Sequence, residues 1–263
     1  MKPPQPAPVR FGPARSAGPF RIRRIDYAPG ERQPPHSHPL TGLTIILSGA
    51  IRESTGAAEE TGESLSVVVK PAGVLHSDEV GARGARTLQV VIDPEAAGPA
   101  ADGRLGRWRW LHGARAAAPL VALARLVAAD GTSSPELEEA VLEAVGTLDG
   151  IGRPSPDPPA WLVRVREALD DQLEAGVTVQ ALAREVGAHP VSVSRAFRQH
   201  YGRTISEYRR RERVRRAAAR IAASSSSISR IAFATGHADH PHLCREFRRV
   251  AGVTPSEFRR LLC

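Results

Sequence analysis

The feature that most constrains this chain is a repeat near its end. The segment VQALAREVGAHPVSVSRAFRQHYGRTISEYRR (179–210) can be laid over ISRIAFATGHADHPHLCREFRRVAGVTPSEFRR (228–260). Leu182, Ala183 and Gly187 meet Ile231, Ala232 and Gly236 at an offset of 49. Arg195, Phe197, Gly202, Thr204, Ser206, Glu207 and Tyr208 meet Arg245, Phe247, Gly252, Thr254, Ser256, Glu257 and Phe258 at an offset of 50. The extra residue falls between the glycine and the arginine, where a turn absorbs it. Each copy reads helix, glycine turn, helix, which predicts two helix-turn-helix units in tandem.

In such a unit the second helix enters the major groove and places its first residues on base edges. In the first copy that helix is expected to start near His189 and Pro190, because proline suits the first turn. Val193 and Phe197, four apart, face the core, which leaves Val191, Ser192, Ser194, Arg195 and Arg198 for DNA. Arg195 is the base-reading candidate, since a guanidinium can bond guanine O6 and N7 together. Arg198 suits phosphate. In the second copy Asp239 is the expected cap, with Leu243 and Phe247 inward and His240, Pro241, Cys244, Arg245 and Arg248 outward. The connection SEYRRRERVRRAAARIAAS (206–224) is a good helix former with an arginine-dense face. About 18 residues at roughly 1.5 Å each give a rod of about 27 Å. That is near one DNA turn, roughly 34 Å, so a monomer could read two adjacent major grooves.

Charge separates this region from the rest. Residues 1–159 hold 17 Lys/Arg against 18 Asp/Glu, whereas residues 160–263 hold 19 Arg against 10 Asp/Glu. A neutral part joined to a basic part implies that only the second meets a polyanion, here double-stranded DNA. One stretch suggests a different chemistry. GHADHPHLC (236–244) gathers His237, His240, His242 and Cys244, all metal-ligand types. The repeat places the last three on the second recognition helix, where His242 points about 160–200° away from His240 and Cys244. Ligands so dispersed cannot close a tetrahedron without unwinding the helix. His240 is therefore a DNA contact candidate, His242 structural, and His237 part of the core.

Residues from about Trp161 to Leu262 resemble the AraC/XylS-type transcriptional regulator DNA-binding domain. The resemblance rests on LAREVGAHPVSVSRAFRQHYGRTISEY and IAFATGHADHPHLCREFRRVAGVTPSEFR. It departs from the usual pattern at His189, His237 and Pro241. The resemblance implies binding near promoters and contact with RNA polymerase.

Upstream, FRIRRIDY, GLTIILSG, SLSVVVKP and TLQVVID alternate with Gly/Pro/Asp turns over residues 20–93. Their length and their Ile, Val, Leu and Thr content predict a small all-β domain. The spacing of Gly30, His36 and His38, then Gly49, then Pro71, Gly73 and His76 resembles the two motifs of cupin β-barrels, a jelly-roll class. That resemblance implies a site inside the barrel. His36, His38 and His76 are candidates for an effector pocket or a divalent metal. The carboxylate usual in such motifs would fall at Gly42 or Leu43 and is missing. Asp78 is either a partner for one of these histidines or a solvated turn residue. His112, beside Trp108 and Trp110, either reaches the pocket or packs against the helices. Residues 116–129 and 135–149 have amphipathic helical spacing, with Ser134 expected to cap and Pro135 to open the second helix. Their apolar faces either cover the barrel or form a homodimer interface.

The expected fold class is α+β: an N-terminal cupin-like β-barrel (jelly roll) followed by helices, then an all-α domain of two tandem helix-turn-helix units. The expected divisions are a disordered arm (1–18), the sensor barrel (19–95), a helical extension (96–149), a linker (150–159) and the DNA-binding domain (160–263). MKPPQPAPVRFGPARSAG lacks the apolar core of a secretory signal. No apolar run approaches the roughly 18 residues of a membrane helix. Two cysteines cannot build a disulfide framework, so a cytoplasmic setting is expected. The function expected is a sequence-specific transcription regulator with a small-molecule effector, not an enzyme. The alternative is a three-histidine metal-dependent cupin dioxygenase fused to a DNA-binding domain. No acid/base pair or nucleophilic triad supports that alternative.

Overall fold

The structure is a computed structural model that describes residues 9–93, 105–112, 114–148, 158–173 and 177–262. Residues 1–8, the 96–104 part of the expected helical extension, and the linker expected over 150–159 (apart from Pro158 and Pro159) lie outside the described residues. The chain forms two compact units: residues 1–151 with 248–263, and residues 152–247.

The first unit is built on antiparallel strands. These are β1 (Val9–Phe11), β2 (Arg15–Ala17), β3 (Phe20–Tyr27), β4 (Arg32–His36), β5 (Thr41–Ser54), β6 (Glu59–Glu63), β7 (Val67–Lys70), β8 (His76–Ile92) and β9 (Arg109–Leu111). The main path runs β1-β3-β8-β5-β7-β9, with β2 on β3, β4 on β8 and β6 on β5. The long strands β5 and β8 are the spine. Their first pairing joins Thr41 to Ile92 and runs to Ile46 with Thr87. The ladder then shifts around Ser48 and Gly49 and resumes at Ile51 with Val80. Gly49 adopts a positive φ of 82°, and a Cβ there would lie 1.9 Å from the Gly84 carbonyl oxygen, so only glycine fits the bend. After the bend Ile51 and Glu53 are buried and Arg52 is exposed. The bent strands therefore wrap a cavity. The unit is an antiparallel β structure followed by helices, as the sequence led one to expect.

Two expectations change here. Part of the arm over 1–18 is ordered: β1 and β2 both pair with β3. The reason is packing, since Ala17 is buried and the Arg23 guanidinium lies 4.5 Å over the Phe11 ring. The cap of the second amphipathic helix is Ser133 rather than Ser134. Its backbone N–H and hydroxyl both reach the Glu136 carboxylate, at 2.8 and 2.7 Å. Helices α1 (Ala114–Ala128) and α2 (Ser134–Gly146) pack on each other, with α1 against β5 and α2 against β2. Covering the sheet is thus one use of their apolar faces. The C-terminal helix α9 (Pro255–Leu261) also rests on α1, where Arg125 pairs with Glu257 at 3.6 Å.

In the second unit α3 (Ala160–Asp171) supports the first helix-turn-helix, α4 (Val179–Glu185) and α5 (Pro190–Tyr201). The rod α6 (Ile205–Ala223) follows, then α7 (Ile228–Phe233) and α8 (His240–Ala251), the helix that ends in the first unit. The repeat is legible in the backbone. Gly187 and Gly236 hold φ of 66° and 74° in the turns, and Gly202 and Gly252 hold 66° and 76° after the recognition helices. Left-handed residues at helix ends favour glycine. Thr204 and Thr254 each form a capping box with Glu207 and Glu257. The core of the first copy joins Leu162, Val165 and Leu169 to Leu182, Val193, Phe197 and Ile205.

Candidate nucleic-acid interface and barrel cavity

Helix α5 begins at Pro190, where His189 accepts the Val191 N–H at 3.3 Å. Val193 and Phe197 are buried, whereas Val191, Ser192, Ser194, Arg195 and Arg198 are exposed together on the opposite face. In α8 the Asp239 carboxylate caps by accepting the His242 N–H at 2.6 Å. Leu243 and Phe247 are buried, and His240, Pro241, Arg245 and Arg248 are exposed, with Cys244 half-buried. The ten DNA-contact candidates thus fall on the outward faces of the two recognition helices. Gln199 and Arg249 are exposed beside them and went unremarked in the sequence.

The arginine-dense rod α6 is neither a bare solvated face nor a free cationic one. Arg209 donates to the Val177 carbonyl at 3.2 Å, Arg213 to Leu173 at 3.2 and 3.1 Å, and Arg216 to Asp170. Guanidinium groups near a helix C-terminus satisfy its last carbonyls, as Arg216 does for Asp170 at the end of α3. Arg210 bonds Glu246 at 2.7 Å, and Arg215 bonds Glu212 at 2.8 Å.

The stretch 236–244 forms no metal cluster among the described residues. His237 is buried, its Nδ1 meets the Thr235 hydroxyl at 3.0 Å, and its Nε2 has no hydrogen-bond partner. His242 Nδ1 accepts the Ala238 N–H at 3.2 Å and so braces the turn. Burial above all holds the His237 imidazole down at about 4. In the unfolded chain the ring titrates near 6.5. The unfolded chain therefore binds a proton that the folded one refuses, and stability is lost as pH falls from about 6.5 towards 4. His237→Phe removes the orphan nitrogen, and Thr235 keeps its bond to the Ile231 carbonyl at 2.8 Å. The variant is expected to gain about 1 kcal/mol at neutral pH. Urea midpoints at pH 7 and pH 5 check this, because the variant's midpoint should fall less than the parent's.

In the barrel, a cavity of about 110 Å³ is lined by residues that include His38, Thr44, Glu53, Lys70, Asp78 and Trp110. Sequence reasoning missed its main feature, a buried ion cluster. The Lys70 ammonium is bonded to Glu53 and lies 3.6 Å from Asp78 and 3.5 Å from His76 Nε2. Glu53 also accepts the Trp108 indole N–H at 3.0 Å. Asp78 is thus buried beside Lys70, rather than solvated or serving a histidine. The two carboxylates raise the Lys70 pKa despite its burial. His112 Nδ1 meets the Ser66 hydroxyl at 2.9 Å and its Nε2 meets Glu60 at 2.9 Å. Its ring stacks on Trp110 at 6.1 Å.

His36, His38 and His76 converge, with one nitrogen of each within 4.8 Å of the others. The donor type suits a divalent metal. His36 and His76 turn Nδ1 to the Pro34 and Val74 carbonyls, at 2.9 and 3.0 Å, which leaves Nε2 as the lone-pair side. Burial first, then Lys70, lowers the His38 pKa to about 4 and also lowers that of His76, so both imidazoles are neutral as ligands must be. The fit has one opponent, the ammonium beside His76. Two nitrogens on a tetrahedral ion at about 2.1 Å stand roughly 3.4 Å apart, so the trio would also have to close.

Two recognition helices, each preceded by a short helix and a glycine turn and joined by a rod, define a tandem helix-turn-helix DNA-binding domain. Residues 163–261 match the family model described as "Helix-turn-helix domain". The regulator GlxA of Rhizobium meliloti is 33% identical over 99 residues, which cover 38% of this chain and 31% of that one. The activator RhaS of Escherichia fergusonii is 33% identical over 91 residues, 35% of this chain and 33% of that one. The match thus spans about a third of these relatives' length. The crystal structure of the AraC-like transcriptional activator CuxR aligns over 80% of this chain and 82% of its own, with a TM-score of 0.43 and 14% identity. Over residues 163–261 the chain is thus similar to the helix-turn-helix regions of known transcriptional regulators. No helix among the described residues is long and apolar enough to cross a membrane.

Proposed function

We propose that the protein is a sequence-specific regulator of transcription. On this reading it binds double-stranded DNA in the cytoplasm through α5 and α8, and an effector in the barrel biases that binding. The observation that carries the reading is the pair of outward faces led by Arg195 and Arg245, both exposed at matching places in the repeat. The effector must differ in affinity for the DNA-competent and DNA-incompetent states to act at all. Contact with RNA polymerase and a homodimer through α1 and α2 belong to the same proposal.

The two arginine roles separate experimentally. Arg195→Ala is expected to relax preference at one base pair by about 1–3 kcal/mol. Arg198→Ala is expected to weaken all sequences alike and reduce the salt slope by about one. Competition binding on sites recovered by genome-wide mapping measures both. Unchanged base preference in Arg195→Ala would misplace the first recognition helix.

A second reading is favoured by the convergence of His36, His38 and His76: a divalent metal as effector, or as an anchor for one. A bound metal would supply Lewis acidity. The chain's own part is to present three imidazoles with Lys70 nearby. Metal content of the purified protein, compared with that of His76→Ala, tests this. Stoichiometric metal with oxygen consumption on a substrate would instead favour the dioxygenase alternative.

A further inference from the structure

The sheet carries one row of side chains in register across four strands. Arg23 on β3 lies opposite Gln89 on β8, Gln89 opposite Thr44 on β5, and Thr44 opposite Val68 on β7. Directly opposed residues point to one face, on strands about 4.8 Å apart, and all four of these line the barrel cavity. The next row is apolar. Phe11 lies opposite Ile25, while Ile25 and Ile46 both lie opposite Thr87. Phe11, Ile25 and Ile46 line the cavity too.

Among the described residues two cations line the cavity, Lys70 and Arg23, and they are engaged differently. Lys70 is bonded to Glu53 and stands 3.6 Å from Asp78, so its charge is matched within the protein. Arg23 is half-buried, and no carboxylate among the described residues pairs with it, whereas Arg10 and Arg86 on the adjoining strands both pair with Asp26. Its contacts are one long bond to Gln89 Oε1 at 3.5 Å and the Phe11 ring, 4.5 Å away. A ring on the face of a guanidinium leaves the in-plane N–H groups able to bond elsewhere. Gln89 turns its carbonyl oxygen to Arg23, so its NH2 remains a donor beside them. A guanidinium fork and an amide donor next to an apolar row match a carboxylate on a hydrocarbon body. An ammonium would instead face Arg23. A cavity of about 150 Å³ holds benzene, so this one, at about 110 Å³, suits a few carbons.

We infer that the barrel binds a small monocarboxylate, its carboxylate on Arg23 and Gln89 and its short hydrocarbon body along Phe11, Ile25 and Ile46. The inference rests on the reading above that the barrel holds the effector, and it names that effector's class. Lys70 takes no part, because Glu53 and Asp78 already hold it.

Butyrate, butyramide, butylammonium and inorganic phosphate test it on the full chain, each titrated at millimolar concentration and followed by NMR shifts of the protein. Butyrate is expected to bind at least about ten-fold more tightly than the other three, the scale of one charge-assisted hydrogen bond. Arg23→Gln should weaken butyrate about ten-fold and leave butyramide unchanged. Arg24→Gln, on the other face of β3, should leave butyrate binding as it is. If Arg23→Gln does not fold, Arg23→Lys is read instead. It keeps the charge but loses the fork, and should weaken butyrate without touching butyramide. Four results would each overturn the inference: no butyrate binding, butyramide or phosphate bound as tightly as butyrate, unchanged butyrate affinity in a folded Arg23 variant, or an equal loss in Arg24→Gln. DNA affinity with and without butyrate is measured separately. Butyrate binding with no change in DNA affinity supports the ligand assignment and sinks the regulatory reading, whereas absence of binding sinks the assignment alone.

Discussion

Lys70→Met is expected to cost the barrel about 3–5 kcal/mol, the typical penalty for removing one member of a buried ion pair. Methionine keeps most of the apolar stem, so the loss isolates the charge. Glu53 is 1% exposed and Asp78 is 7% exposed, and without the ammonium both carboxylates are left in the interior without a counter-charge. Glu53 retains only the Trp108 indole, and Asp78 has no hydrogen bond on Oδ1 to fall back on. The triple variant Lys70→Met, Glu53→Gln, Asp78→Asn should recover much of the loss, because buried ion clusters replaced whole are often nearly neutral. Urea denaturation of the three proteins measures this. A Lys70→Met variant within about 1 kcal/mol of the parent would mean that the cluster is far better hydrated than its burial implies.

Phe197→Ala is expected to cost the second unit about 3–5 kcal/mol. The ring is fully buried and packs in one cluster with α3, α4 and Ile205. It also touches the Tyr201 and Tyr208 rings, with centroids 4.6 and 5.4 Å away. Tyr208 is tied down by its bond to Asp170 at 2.8 Å, so on that side the cavity cannot easily collapse. Because residues 152–247 form their own unit, the variant should show an early unfolding transition ahead of the barrel's. DNA affinity should fall with it, since Phe197 sets the face on which Arg195 and Arg198 stand. A single transition at the parent's midpoint would refute this account of the first helix-turn-helix core.

The helical part of the molecule was readable because period, caps and glycines all agree with the repeat. His189 and Pro190 at one start, Asp239 at the other, and the four glycines sit where the pattern put them. The barrel was half readable. Its main strands were visible as apolar runs, and His36, His38 and His76 do come together. The ion cluster was not seen, because a carboxylate was sought near Gly42, whereas the bend at Gly49 brings in Glu53 from eleven positions further on. A signal did exist: Glu53 shares the inward parity of Ile51, and Lys70 ends the wholly buried run VVVK. A charge at an inward position of a strand marks a buried pair. The ordering of β1 and β2 had no such mark beyond Phe11.

The rod α6 has one further consequence, for how the protein meets its polyanion. Arg209, Arg210, Arg213, Arg215 and Arg216 already donate to carbonyls or carboxylates of the same unit. A guanidinium paired with a carboxylate, as Arg210 and Arg215 are, offers less net charge to a phosphate, and one held on carbonyls is fixed in place. Five of the arginines of residues 160–263 therefore work as internal fastening, and on the proposed reading the ionic grip on DNA rests more on those outside this group. On the proposed reading, the salt dependence of DNA binding should be smaller than the count of arginines in residues 160–263 would suggest.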